Sequence, residues 1–126
     1  MASRARRAAE RRGRWAESIA ALRLRLAGYR ILARNFRSPV GEIDLIARRG
    51  DTVIFVEVKT RSADDAAAEA IGPRQQARIR RAAAAFLAGR PELATFSLRF
   101  DAILIVPWRA PRHVVDAWRD VDPRTK

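Results

Sequence analysis

Three side chains near the middle of the sequence are of types that could do chemistry together: Asp44, Glu57 and Lys59. The runs that carry them, Glu42 to Arg48 and Thr52 to Thr60, have period-two character, and the short Gly-containing connection between them marks a hairpin. If Gly50-Asp51 are the central residues of the turn, Arg49 pairs with Thr52 and Asp44 falls opposite Glu57. Directly opposed residues have Cβ atoms ~4.5–5.5 Å apart, and like charges there destabilise a sheet unless something cationic sits between them. A hard divalent cation such as Mg2+ or Mn2+, which prefers carboxylate oxygens and retained waters, would resolve the conflict. Lys59, two residues beyond Glu57, lies on the same strand face by alternation.

That set fits phosphodiester hydrolysis, which needs an activated water and compensation for the charge that develops on the scissile phosphate and the leaving oxygen. A Glu-x-Lys in a strand is more often a solvated surface pair. Here, however, Val53, Ile54, Phe55, Val56 and Val58 make the strand apolar on both faces, as a central strand would be, and charges in such a strand need a reason. A structural salt bridge from Glu57 to Lys59 or Arg61 is the alternative. The choice of lysine is itself informative. Of 26 basic residues only Lys59 and Lys126 are lysines, so plain positive charge is supplied by arginine, and position 59 looks chemically chosen.

The elements that must position these residues can be read along the chain. From about Ser3 to Ala27 the sequence reads as a helix, with Trp15, Ile19, Leu22 and Leu26 as its apolar stripe and Gly28 as its stop. Arg4, Arg6, Arg7, Arg11, Arg12 and Arg14 have few apolar anchors among them. Residues 1–14 are therefore expected to be a mobile basic arm and residues 15–126 a single domain. Tyr29 to Arg34 reads as a strand and Asn35 to Gly41 as a loop, ahead of the hairpin. Arg61 to Gly72 reads as a linker with one helical turn. Pro73 suits the first position of a second helix that runs to about Ala88 with Ile79, Ala83, Phe86 and Leu87 buried, and Gly89 ends it. Leu98 to Val106 is a further strand stopped by Pro107, and His113 to Trp118 a short last one. The order α-β-β-β-α-β gives an α/β fold with a mixed sheet flanked by helices.

Composition narrows the function. A chain of 126 residues holds one core. With no cysteine there is no disulfide framework, no thiolate metal site and no thiol catalysis, and the lone His113 cannot make a multi-histidine site. Arginines break every apolar run, so no membrane span is expected. The basic N-terminus lacks the apolar stretch of a secretory signal, and a cytoplasmic location is the simpler reading. A net charge of +12 favours a polyanionic partner, with nucleic acid, DNA above all, in the lead; a homodimer is left open.

The run Gly41-Glu42-Ile43-Asp44-Leu45-Ile46-Ala47, followed by Phe55-Val56-Glu57-Val58-Lys59-Thr60-Arg61, resembles the YraN family of small bacterial proteins of poorly defined role. Ala16-Glu17, Gly28-Tyr29, Asn35 and Arg99-Phe100-Asp101 match as well. The pattern belongs to the PD-(D/E)XK nuclease superfamily and is similar to archaeal Holliday-junction resolvases. This resemblance implies a restriction-endonuclease-like fold and a metal site made by Asp44, Glu57 and the main-chain carbonyl of Val58, with Lys59 as the catalytic lysine. It implies Glu17 as an outer ligand or water-positioning acid, although as a residue Glu17 reads equally as a solvated helix position off the apolar stripe. Glu42 is a further ligand or a partner of Lys59 or Arg61. Where many family members carry a lysine near the start of the second helix, this chain has Arg74-Gln75-Gln76. Gln75 or Gln76 would contact phosphate or the water network, or is polar filler, the latter slightly favoured. Asp101 reads as structural, bonding Arg99 or a loop, and His113 as an ordinary surface or edge residue.

Two functions follow from different classes. One is a Mg2+- or Mn2+-dependent endonuclease acting on DNA, including branched or structured DNA, with Arg4, Arg6, Arg7, Arg11, Arg12, Arg14, Arg61 and Arg74 on the phosphates. The other is a nucleic-acid-binding module that keeps the fold without cutting. A basic structural protein of a ribonucleoprotein ranks last, because it leaves the charges in the apolar strand unexplained.

Overall fold

The structure, a computed structural model, describes residues 4–61 and 71–118, and the side chains of residues 4–12 are not part of that description. The side chains of the expected arm's arginines up to Arg12, most of the expected linker and the tail beyond residue 118 therefore lie outside what the structure describes. Helix α1 (Arg4–Leu26) leads into three antiparallel strands, β1 (Arg30–Ser38), β2 (Gly41–Arg49) and β3 (Thr52–Thr60). Helix α2 (Pro73–Ala88) and a 3-10 turn (Pro91–Leu93) precede β4 (Ser97–Ile105), which lies parallel to β3, and β5 (Arg112–Val114), antiparallel to β4. The five strands form one mixed sheet in the order β1-β2-β3-β4-β5, a restriction-endonuclease-like arrangement flanked by the two helices. No helix among the described residues is long and apolar enough to cross a membrane.

Strand β3 is central because both its faces are apolar. Val53 and Phe55 join the core under α2 with Ile79, Ala82, Ala83 and Phe86, whereas Ile54 and Val56 join the core under α1 with Leu45 and Ile103. Phe86 sets its ring edge-on to Phe36 at 5.3 Å and to Phe55 at 6.4 Å. Pro73 opens α2, and the Gly89 and Arg90 N–H groups close it on the Phe86 and Leu87 carbonyls respectively.

Helix α1 buries a different face from the expected one. Ala16, Ala20, Ala21 and Leu24 are at most 2% exposed, while Trp15, Leu22 and Leu26 are 58, 54 and 78% exposed. Ile19 is partly buried at the edge of the core. The sheet surface beneath α1 is already filled by Leu45, Ile54, Val56, Ile103 and Ile105, so the helix packs through its smallest side chains and comes close.

The expected loop from Asn35 is strand instead, and the departure explains where the candidate site forms. Arg34 pairs with Leu45 and Phe36 with Ile43. The Arg34 side chain reaches Glu17 and Ser18 of α1, yet Phe36, two residues on, packs against Phe86 of α2. Residues i and i+2 of a regular strand share a face. The switch occurs at Asn35, whose φ of 52° is left-handed, a conformation that asparagine tolerates better than most residues. Strand β2 switches beside it, since Leu45 belongs to the α1 core and Ile43 to the α2 core, with Asp44 between them.

If this left-handed residue creates the switch, Asn35→Val should destabilise the protein by roughly 1–2 kcal/mol, and Asn35→Gly should leave stability within about 0.5 kcal/mol. Urea unfolding of both variants checks this; equal losses would show that backbone conformation at position 35 is not the cause.

Candidate active site

The hairpin turn sits where its residues dictate. Gly50 has φ 58°, and the ladder runs from Arg49↔Thr52 to Leu45↔Val56, which puts Asp44 and Glu57 next in register as regular pairing ends. Beyond that point Asp44 Oδ2 accepts the Val58 N–H at 2.8 Å. The carboxylate so fixed lies beside Glu57, and the two side chains hydrogen-bond to each other when one carries a proton. Burial, and then the Asp44 charge, pushes the Glu57 carboxyl up to about 8. Burial also raises Asp44, against the lowering effect of the Val58 N–H.

Gln75, in the first turn of α2, links the pair to the lysine. Its Nε2 donates to Glu57 Oε1 at 2.6 Å and its Oε1 accepts from Lys59 Nζ at 2.9 Å. An amide is the neutral group that serves an anion with one end and a cation with the other. Gln75 is therefore not filler, and Glu57 and Lys59 are joined through it. Gln76 does something else, donating from Nε2 to the Ile71 carbonyl at 2.6 Å and bracing the entry to α2.

The other acidic residues stand apart from the pair. Glu17 accepts from Arg34 Nε at 3.2 Å with its side chain 17% exposed, so it is not a freely solvated helix residue, and its charge contributes to raising the Asp44 pKa. Glu42 faces Arg37 at 3.7 Å, in place of the expected Lys59 or Arg61. Among the described residues no three His, Cys, Asp or Glu side chains converge on one point.

The site opens into a cleft of about 430 Å³ bounded by residues 37–42 on one side and by Gln75, Arg78 and Ile79 of α2 on the other, with Asp44 and Glu57 between. Reading the sequence did not single out Arg37 or Arg78. The signal available for Arg78 was its position three residues after Gln75, one helical turn along the same face. Of the arginines expected on phosphate, Arg14 and Arg74 are exposed, and Arg61 donates to the Thr60 carbonyl at 2.8 Å.

A second polar cluster corrects the expectation for His113. Its Nε2 lies 2.7 Å from Asp101 Oδ2, its side chain is 6% exposed and its ring meets Tyr29 edge-on at 6.0 Å. Asp101, fully buried, also accepts from Arg99 Nε and Nη2 at 2.8 Å and from the Asp116 N–H at 2.9 Å, and Arg99 donates to the Tyr29 hydroxyl at 2.7 Å. Burial works to raise the Asp101 pKa, but these donors outweigh it and hold the carboxyl below its usual range. The structural role expected for Asp101 holds. The signal for its partners was an aspartate set among Phe100, Ala102 and Ile103, which when buried requires donors.

Known proteins add a family to this geometry. A model of the uncharacterised protein family UPF0102 matches residues 16–105, from the buried face of α1 to the end of β4. A UPF0102 protein of Paramagnetospirillum magneticum is 60% identical over 121 residues, covering 93% of this chain and 94% of that one. Others come from Parvibaculum lavamentivorans, 57% identical over 112 residues (89% and 84% of the two chains), and Bradyrhizobium diazoefficiens, 55% identical over 118 residues (94% and 89%). With the match running almost end to end on both sides, the chain belongs to UPF0102, the YraN family that its two central motifs resemble.

Proposed function

We propose that this protein is a metal-dependent endonuclease that hydrolyses phosphodiester bonds in DNA, including branched or structured DNA. The observation that carries the reading is the linked set of Asp44, Glu57, Gln75 and Lys59 at the side of a cleft, on a restriction-endonuclease-like fold. Two carboxyl groups held together at raised pKa suit a hard divalent cation, and the fit is to oxygen donors: Asp44, Glu57 and the Val58 carbonyl would hold Mg2+ or Mn2+. When bound, such an ion supplies an activated water and charge compensation at the phosphate. Within the chain, the Val58 N–H orients Asp44, Gln75 holds Glu57 in place, and the Lys59 ammonium stands ready to neutralise the phosphate or orient the attacking water. The net charge of +12 also supports a second reading, a module that binds nucleic acid without cutting it.

Cleavage and binding of duplex, single-stranded, flap and four-way-junction DNA in Mg2+ and in Mn2+ separate the two. Asp44→Asn and Glu57→Gln should abolish cutting and leave binding intact or tighter, since each removes a charge that repels phosphate. Lys59→Ala should slow cutting by a factor on the order of 10²–10⁴, and Lys59→Arg should not restore it. Gln75→Ala should reduce activity roughly 10–100-fold, as expected for a group that orients others. Wild type that binds the panel tightly and cuts none of it would leave the binding module as the function.

Stability gives a check independent of any substrate. A carboxyl whose pKa rises from 4.5 to about 8 on folding binds its proton more tightly in the folded state. The metal-free protein should therefore lose stability as pH climbs between those two values. Added Mg2+ should raise Tm more at pH 8 than at pH 5, and Glu57→Gln should reduce both effects. Thermal melts across this range that show no such slope in wild type would refute the carboxylate arrangement.

A further inference from the structure

We propose that Arg78, with Arg37 on the other wall of the cleft, binds the phosphodiester group next to the one addressed by the carboxylates. This rests on the nuclease reading and adds to it the path of the substrate strand, which runs across the cleft from the β1–β2 turn to α2. Arg78 lines the cleft, is exposed and, among the described residues, its side chain makes no hydrogen bond or ion pair. Its guanidinium, with five donors and no acceptor, is free to take an anion that enters the cleft. The carboxyl groups of the cleft have other partners: Asp44 the Val58 N–H, Glu57 the Gln75 amide and Glu42 the Arg37 guanidinium.

The backbone beneath Arg78 is fixed. A Cβ on Gly41 would stand 2.5 Å from the Arg78 carbonyl oxygen, so the turn and the helix meet main chain to main chain and only glycine permits the approach. The distance from the carboxylates to Arg78 is thereby set by packing. Arg78 follows Gln75 by one helical turn, a step of about 5–6 Å on the helix surface, comparable to the step between successive phosphates of a strand. Arg37 is 73% exposed and faces an equally open Glu42 at 3.7 Å, a weak pair that an incoming phosphate can replace. At about 430 Å³ the cleft is the size of a small-molecule site, so what enters is a short stretch of one strand's backbone.

The test is binding of a fluorescein-labelled single-stranded oligonucleotide, followed by anisotropy in EDTA so that nothing is cut. The proteins are wild type, Arg37→Gln, Arg78→Gln, Arg78→Lys and a control, Arg30→Gln, which alters an exposed arginine at the far end of β1. Arg78→Gln should weaken affinity on the order of tenfold and lower the slope of log affinity against log salt by about 0.7. Arg78→Lys should recover part of the loss, because it keeps the charge but not the fork. Arg37→Gln should lose less than Arg78→Gln and more than the control. Replacing single linkages by neutral methylphosphonate should weaken wild type at one or two positions, and Arg78→Gln no further there. An Arg78→Gln affinity equal to that of Arg30→Gln overturns the proposal. If Arg78→Gln fails to fold, Arg78→Lys carries the comparison, and wild-type affinity in that variant would overturn it. Cutting by wild type in Mn2+ is read separately. Cutting with Arg78-independent binding removes this subsite alone, whereas Arg78-dependent binding without cutting removes the nuclease reading alone.

Discussion

A main-chain N–H at the end of a ladder must find an acceptor, and at Val58 the acceptor is the side chain of Asp44. Much of the site depends on that substitution. It uses one oxygen of Asp44 as though it were backbone, which anchors the carboxylate to β3 and brings it against Glu57. Both carboxyl groups are then too close and too buried to ionise independently. The strain is electrostatic, and the surrounding framework tolerates it because β3 is packed on both faces. Without Ile54 and Val56 under α1, and Val53 and Phe55 under α2, nothing would hold Glu57 in so unfavourable a place.

The alanine face of α1 serves the same end. A helix packed through Ala16, Ala20 and Ala21 lies close to the sheet and brings Glu17 near enough for its charge to be felt at Asp44, while Arg34 pairs with Glu17 directly. A helix seated on Trp15 and Leu22 would have stood further out. The polar cluster around Asp101 works elsewhere in the sheet, joining β4 to the β5 region and, through Arg99 and Tyr29, to the junction of α1 with β1.

How much of this was legible depends on how local the determining physics is. The hairpin register could be read because Gly50-Asp51 sets it, and α2 could be bounded because Pro73 and Gly89 are start and stop signals in their own right. Glu57 and Lys59 could be singled out as charges in a strand that is apolar on both sides, and Asp44 by the register that sets it opposite Glu57. What could not be read is tertiary. Asn35 looked like the opening of a loop because asparagine favours turns, and only the pairing of Phe36 with Ile43 keeps it in a strand. In α1 the large apolar residues outweigh alanine on any hydrophobicity scale, whereas burial followed the space available above the sheet. Gln75 and His113 found partners on other elements, which no local pattern announces.

The scarcity of lysine has a practical side. Only two side chains in the whole sequence, Lys59 and Lys126, bear a primary amine. An acylating or reductively alkylating reagent therefore has few places to go, and one of them is the amine tethered by Gln75 to the carboxylate pair. Its reaction rate, compared between wild type and a variant that lacks the Gln75 amide, becomes a chemical gauge of that tether. The chain's preference for arginine thus leaves its candidate site addressable by ordinary amine chemistry, with the twenty-four guanidinium groups silent in the background.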